Sequence, residues 1–143
     1  MKISDVINAK SDPDVVTISP DAGVRELLAV LSEHNIGAVV VSADGASLDG
    51  IVSERDVVRR LHGNDAVLDS AVREIMTSTV HTAEPAQDLD ELMAQMTERR
   101  IRHVPVLDGQ TLVGVVSIGD VVKSRITQLT FERDQLDSYV HQT

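Results

Sequence analysis

Two copies of one short motif carry side chains that could do chemistry. Each has a glycine, two apolar residues, a serine and, three residues after the serine, an aspartate, at a predicted junction between a strand and a helix. The copies are Gly50-Ile-Val-Ser53-Glu-Arg-Asp56 and Gly114-Val-Val-Ser117-Ile-Gly-Asp120. A serine at the N-cap with an acid at N3 resembles a capping box, which is a purely structural interpretation. Alternatively, the first helical turn offers free N–H groups to a ligand, and the carboxylate can accept both hydroxyls of a ribose.

A basic segment is the second candidate feature. Arg99, Arg100, Arg102 and His103 lie close together in a chain whose formal net charge is −10. Cations are favoured at the C-terminus of a helix, which accounts for the first two. This preference accounts less well for Arg102 and His103, because these two residues enter a predicted buried strand. The equivalent segment around Gly37 carries no positive charge, so we expect one cleft to hold an anion and the other to offer room.

Catalytic and metal-binding functions find little support in the sequence. Ser53, Asp56 and His103 suggest a hydrolase, but the chain has no Gly-x-Ser-x-Gly elbow and no phosphate-binding loop. The five histidines are scattered without a His-x-x-x-His pair, and there is no cysteine. We therefore expect no catalytic residue, no metal site and no enzymatic activity.

The chain repeats itself at an offset of 65 residues, which becomes 64 after a difference in one loop. Thr17-Ile-Ser-Pro20 aligns with Thr82-Ala-Glu-Pro85, and the two serine–aspartate motifs align with each other. Upstream, Ile3–Ile7 matches Val72–Met76 in pattern. Each copy is predicted to be a βαββα unit preceded by a short leading helix. Since about 60 residues are marginal as an independent domain, we expect the two copies to pack together.

The apolar pattern predicts the bounds of these elements. We expect leading helices over Ile3–Asn8 and Ala71–Met76. Strands are predicted over Ala38–Ser42, Gly50–Ser53, His103–Leu107 and Leu112–Ser117. The helix between them has apolar residues at i, i+3, i+4 and i+7, namely Val24, Leu27, Leu28 and Leu31 in one copy and Leu89, Leu92, Met93 and Met96 in the other. Methionines can form an adaptable binding face, but these take the positions of leucines, so we interpret them as core.

These elements predict an α/β (α+β) fold in which two βαββα repeats pack sheet to sheet about a pseudo-twofold axis, followed by a C-terminal helix. We divide the chain into repeat 1 (residues 1–66), repeat 2 (67–127) and an amphipathic helix (128–143). Binding sites are expected in the clefts between the repeats. Leu129, Leu136 and Tyr139/Val140 form a stripe on the last helix, which either packs on its own module or is the seam of a homodimer.

Composition narrows the function classes. The chain has 143 residues, of which 42% are hydrophobic and 25% charged, as in soluble folded proteins. Its net charge of −10 disfavours binding to nucleic acids or to an anionic membrane surface, and only 1% of its residues are aromatic, too few for base stacking. The start has no signal-peptide pattern and no apolar run is long enough for a membrane helix, so we expect a cytoplasmic protein.

Together, the repeated motif, Thr-x-x-Pro and His103-Val-Pro-Val106 resemble a tandem cystathionine-β-synthase (CBS) domain pair, or Bateman module, over residues 1 to 127. The resemblance is closest to short stand-alone bacterial proteins that carry Ser-Glu-Arg-Asp in the first copy and Ser-Ile-Gly-Asp in the second. It implies a regulatory sensor that binds AMP, ADP, ATP, NAD(H) or S-adenosylmethionine between the repeats. The ligand would change dimer shape or affinity for an effector protein. The alternatives are a ligand-free interaction scaffold and, less favoured, a hydrolase or transferase.

The resemblance also implies which residues form each site. The aspartates would hold the ribose, the serines would be their hydroxyl partners, and Thr-x-x-Pro would line the adenine pocket. Site A would comprise Ser53, Asp56, Thr82, Ala83, Arg102, His103, Val104 and Pro105, with Arg102 and His103 holding phosphate. Site B would comprise Thr17, Ile18, Gly37, Ala38, Val39, Arg55, Ser117, Gly119 and Asp120. Arg55 could reach the phosphate in site B, where the lack of a cation at Gly37 suits a nucleoside or a dinucleotide.

Overall fold

A computed structural model of the protein describes residues 1–10 and 14–141. The α-helices are α1 (Ile3–Asn8), α2 (Val24–His34), α3 (Glu54–Leu61), α4 (Leu89–Arg99) and α5 (Ile118–Val140). The strands are β1 (Thr17–Ile18), β2 (Ala38–Val41), β3 (Gly50–Ser53), β4 (His103–Asp108) and β5 (Thr111–Ser117), and 3₁₀ helices cover Asp65–Asp69 and Val72–Glu74. The predicted mixed α/β fold with two equivalent repeats is confirmed.

Each repeat forms a small sheet. In the first, β1 runs parallel to β2, and β2 is antiparallel to β3, with Ala38 opposite Ser53. In the second, β4 is antiparallel to β5, with His103 opposite Ser117. The register thus places each motif serine beside the first residue of the preceding strand. The second copy of β1 is reduced to one bridge between Ala83 and Val106.

The middle helices bury the faces that the periodicity predicts. Leu27 and Leu92 are fully buried at equivalent positions of α2 and α4. Met96 is 1% exposed, and Met93 packs against the same core, so the interpretation of the methionines as core is confirmed. Both helices end at a residue in the left-handed conformation, Asn35 (φ 52°) and Arg100 (φ 55°), which turns the chain into the next strand.

The leading segments are exchanged between the repeats. Ile3 and Val6 of α1 lie in the core of the second repeat, whereas Val72 and Ile75 lie in the core of the first. The hydrogen bonds are equivalent: Ile3 N donates to Gln87 O, and Val72 N donates to Ala22 O. Each core is therefore incomplete without residues from the other half of the chain, which explains why two marginal units form one stable fold.

The second leader is less helical than predicted. A helix was expected over Ala71–Met76, but only the 3₁₀ helix Val72–Glu74 forms. Immediately afterwards, Thr77 and Ile51 exchange two backbone hydrogen bonds, at 2.9 and 3.0 Å. Pairing with β3 requires extended backbone, so the helix cannot continue past this point.

The exchanged leaders pass close over both motif glycines. A Cβ on Gly50 would lie 2.7 Å from Thr77 O and 2.9 Å from Met76 Sδ. A Cβ on Gly114 would lie 3.0 Å from Ile7 Cδ1. The glycine of the motif thus serves the packing of the repeats, a role separate from that of the serine and the aspartate.

Alanine substitution should therefore cost more at Gly50 than at Gly114. We expect Gly50→Ala to lower the free energy of unfolding by about 1–3 kcal/mol, because a backbone carbonyl has to move. Gly114→Ala should cost less, since the terminal atoms of Ile7 can shift. Urea unfolding measures both, and Gly119→Ala is a control because the nearest atom to its Cβ would be 3.6 Å away. Equal costs at Gly50 and Gly119 would contradict this account.

The C-terminal helix expected over residues 128–143 is the second half of α5, which runs unbroken from Ile118 to Val140. Residues 142–143 lie outside the described part of the chain. The stripe residues Leu129 and Leu136 are 51% and 65% exposed. Among the described residues, no helix is both long and apolar enough to cross a membrane.

Candidate functional site

A cavity of about 730 Å³ lies between the two repeats. Its walls come from α1 and the residues after it, the end of α2, β2, β5 and the start of α5. This volume is within the range of pockets that bind small molecules and cofactors. Five of the residues predicted for site B line this inter-repeat cavity: Gly37, Ala38, Val39, Ser117 and Asp120. The other four, Thr17, Ile18, Arg55 and Gly119, do not line it.

The motif aspartates cap their helices in both repeats. Ser53 N donates to Asp56 Oδ2 at 2.8 Å, and Asp56 N donates to Ser53 Oγ at 3.3 Å. At the second motif, the equivalent distances between Ser117 and Asp120 are 2.9 and 3.1 Å. The capping interpretation is thus confirmed.

Capping leaves part of each carboxylate available. All of these bonds to the aspartates use Oδ2, and within the described residues Oδ1 of Asp56 and of Asp120 accepts no hydrogen bond. Both side chains are partly accessible to solvent. The caps fix the orientation of the carboxylates, so each presents one acceptor oxygen, Oδ1, at a helix N-terminus. Capping and ligand binding are therefore compatible functions of one residue.

A lysine that the sequence analysis missed neutralises Asp120. Lys10 Nζ lies 2.8 Å from Asp120 Oδ2 and donates to Val115 O at 2.5 Å. Burial by itself would raise the pKa of Asp120, but hydrogen bonds from Lys10 and Ser117, with the lysine charge, hold it below its ordinary value.

The cavity has more basic side chains than the segment around Gly37 indicated, and the carboxylates of Asp5, Asp14 and Asp120 line it as well. Lys10, Lys123, His34 and His103 all line it. None of the first three lies in a motif. Lys10 reaches Val115, 105 residues away in sequence, because the leaders are exchanged. A repeat-by-repeat comparison of segments could not have revealed this contact.

His103 lies on the wall of the cavity, together with the residues predicted for site B. It begins β4 opposite Ser117, and a Cβ on Gly37 would be 3.9 Å from its Cε1. Burial lowers the pKa of His103, and the charges of Arg102 and Lys10 add to the effect, whereas Asp120 and Glu54 oppose it. At neutral pH the ring is therefore mostly uncharged and can both donate and accept a hydrogen bond.

The remaining residues predicted for site A occupy two separate places. Ser53 and Asp56 lie at the junction of β3 and α3. The others lie in or beside β4. Ala83 pairs with this strand, and Val104 and Pro105 are buried within it. Arg102 is exposed just before the strand, and Thr82 is half-buried. Within the described residues, no hydrogen bond or ion pair joins these two groups.

Comparison with known proteins gives consistent matches over both repeats. The family model for the CBS domain matches residues 3–63 and 72–126. A solved structure of a candidate signal-transduction protein with CBS domains from Burkholderia ambifaria has a TM-score of 0.81 and 41% identity, covering 89% of this chain and 95% of that one. The mitochondrial CBS domain-containing protein CBSX3 of Arabidopsis thaliana is 33% identical over 147 residues, covering 96% of this chain and 71% of that protein.

A third match was solved with ligands bound. The CBS domain pair of protein MJ0100, in complex with 5′-methylthioadenosine and S-adenosyl-L-methionine, has a TM-score of 0.77 and 26% identity to this chain. The match covers 90% of this chain and 98% of that one. Both compounds contain a 5′-deoxyadenosyl group with sulfur on C5′, so each presents a ribose diol.

Proposed function

The chain belongs to the CBS domain family, and on this basis we propose that it is a regulatory sensor that binds adenosine-containing ligands between its repeats. The ligand class comprises AMP, ADP, ATP and NAD(H), all of which carry a ribose diol and phosphate. The observation that carries the proposal is the inter-repeat cavity with Asp120 on its wall. Asp120 presents a carboxylate that the helix cap orients, and ionised acceptors make strong hydrogen bonds to a diol.

The surroundings of Asp120 support a ligand that carries phosphate. Lys10 and Lys123 bring ammonium groups and His34 an imidazole to the same cavity, whose lining also includes Asp5 and Asp14. Strands β2 and β5 supply apolar walls for a base. We extend the proposal to site A, where Ser53 and Asp56 would bind a second ribose. Thr82 and Ala83 would line its adenine pocket, and Arg102 would hold phosphate. A thermal-shift panel with adenosine, AMP, ATP and NADH tests the ligand class, because a ligand that binds only the native state raises the melting temperature.

Two alternatives are weaker. A ligand-free scaffold would need no oriented carboxylate in a cavity, and the panel would then give no shift with any compound. A hydrolase would need an activated nucleophile, but Ser53 Oγ donates to Asp56 Oδ2 at 3.0 Å and has no histidine partner among the described residues. We therefore favour regulation over catalysis.

We further propose that the protein forms a homodimer through α5 and that ligand state reaches an effector through this assembly. Val122, Ile126, Leu129, Leu136 and Val140 follow one helix face at spacings of three, four and seven residues, and all are about half exposed or more. This pattern is typical of a helix that packs against a second helix. A stripe of this length is costly to leave in water.

Changing the stripe should therefore dissociate the dimer. We expect the double variant Leu129→Lys, Leu136→Lys to sediment as a monomer at a concentration where the unmodified protein sediments as a dimer. Phe131→Lys is the matched control, because Phe131 is equally exposed on the same helix but off the stripe. Sedimentation velocity measures all three. A monomeric unmodified protein, or dissociation of the Phe131 variant alone, would contradict the proposed seam.

The pKa of His103 predicts how stability depends on pH. Because burial lowers this pKa in the folded state, the unfolded state binds the proton more readily. Stability is then retained above the ordinary histidine pKa and is lost as the pH falls through it. We expect a lower free energy of unfolding at pH 5.5 than at pH 7.5, measured by urea denaturation. The loss should be smaller in His103→Gln, and an identical loss in both proteins would exclude His103 as its source.

A further inference from the structure

We propose that Lys10 is an internal counter-ion on Oδ2 of Asp120, so that a ribose diol binds both oxygens of this carboxylate only by displacing the ammonium group, which then meets the ligand phosphate. This inference rests on the proposed function, because it assigns a role within the same site. It concerns selectivity: the cavity would favour nucleotides over nucleosides.

The ion pair is built into the fold. Lys10 directly follows the last turn of α1, where its own N–H donates to Ile7 O at 3.2 Å. Its ammonium group contacts Asp120 Oδ2 at 2.8 Å and Val115 O at 2.5 Å, and about a third of each of the two charged side chains is exposed. Because α1 is anchored in the core of the second repeat, the lysine is presented to Asp120 by a fixed element.

The first motif provides an internal comparison. Asp56 has the same cap and the same spacing from its serine, but within the described residues it forms no ion pair. Continuing the pattern match between Ile3–Ile7 and Val72–Met76, the counterpart of Lys10 is Thr79, which carries no charge. The two motifs therefore differ in the residue that the exchanged leader delivers, and only Asp120 has a cation in place.

This difference has a chemical consequence. A diol and an ammonium group both donate hydrogen bonds to a carboxylate, so a diol that uses both oxygens of Asp120 competes with Lys10 for Oδ2. A neutral nucleoside gains bonds to Asp120 but leaves the ammonium group without its carboxylate. A nucleotide supplies a phosphate to which the displaced ammonium group can donate, since charge-assisted bonds of this kind are strong. Lys10 should therefore penalise adenosine and leave AMP unpenalised.

The test compares adenosine and AMP in calorimetric titrations of the unmodified protein and three variants. In Lys10→Met we expect adenosine to bind about tenfold more tightly, the equivalent of one charge-assisted hydrogen bond, while AMP does not gain. Lys10→Arg keeps the charge and should bind adenosine as the unmodified protein does. Lys123→Met removes a lysine that lines the same cavity without pairing with Asp120, and it should not tighten adenosine binding.

Two results would overturn the inference. One is an unchanged or weaker affinity of folded Lys10→Met for adenosine, and the other is equal tightening in Lys10→Met and Lys123→Met. A ligand-free measurement separates this inference from the proposed function. If no probe binds, the proposed function fails, but carboxyl ¹³C NMR still shows whether the pKa of Asp120 rises in Lys10→Met. A rise supports the counter-ion, and an unchanged titration refutes it.

Discussion

Replacing Asp120 with asparagine is expected to weaken AMP binding in the inter-repeat cavity by more than tenfold. The substitution keeps the shape of the side chain and its ability to cap the helix, but it removes the ionised acceptor. Hydrogen bonds to a charged group contribute roughly 1.5–3 kcal/mol each, and about 1.4 kcal/mol corresponds to a tenfold change in affinity. Loss of even one such bond to the ribose should therefore weaken AMP binding by more than tenfold.

The matched control is Asp56→Asn, which makes the same change at the other motif. It should leave binding in the inter-repeat cavity unchanged, because Asp56 does not line it. Deoxyadenosine monophosphates sharpen the test. The unmodified protein should bind them less tightly than AMP. Asp120→Asn should bind them as tightly as it binds AMP, because the carboxylate that accepts from the missing hydroxyl has already been removed. A folded Asp120→Asn protein with unchanged affinity for AMP would rule out the ribose role.

The second large effect concerns stability. Ile3 is 0% exposed, and although it belongs to the first leader, it lies in the core of the second repeat. We expect Ile3→Ala to lower the free energy of unfolding by about 2–5 kcal/mol, because it removes buried methylene and methyl groups and leaves a cavity. Val72→Ala makes the equivalent change in the first core, where Val72 is also 0% exposed.

The exchanged leaders also predict how these variants unfold. Since each core contains residues of both repeats, both variants should show one cooperative transition, shifted to lower urea concentration. Far-ultraviolet circular dichroism across a urea series measures this. Two separate transitions, with only one of them shifted in Ile3→Ala, would mean that the repeats unfold independently and that the leaders contribute little.

Local pattern was sufficient to predict most of the elements. The positions of β3 and of both caps follow from the spacing of glycine, serine and aspartate, and the structure has Gly50–Ser53 as a strand and Ser53 and Ser117 as N-caps. Buried faces of α2 and α4 follow from 3.6-residue periodicity. These features depend on residues close in sequence, so a single chain is enough to reveal them.

Features that depend on the packing of each leading segment against the other repeat could not be predicted from the sequence. The exchange of leaders brings Ile7 over Gly114 and Met76 over Gly50, and no local pattern shows which repeat a leader packs on. The ion pair of Lys10 with Asp120 follows from that exchange. The sequence analysis assigned only Arg55 as a cation of the second cleft, because the segment around Gly37 has none. In the structure Arg55 does not line the cavity, and the cations come from Lys10, just after α1, and from Lys123 in α5. The continuity of α5 was missed for a different reason. The sequence repeat ends near residue 127, and the boundary of the repeat was taken as the end of a helix, whereas α5 continues to Val140.

The most direct test of the central claim is a calorimetric titration of AMP into protein that has been freed of co-purified nucleotide, repeated with Asp120→Asn. The account predicts saturable heat from the unmodified protein and the loss of one binding event in the variant, with the folded state intact in both. No heat from AMP, ATP or NADH in the unmodified protein would contradict the sensor function and favour a scaffold that acts through protein contacts alone.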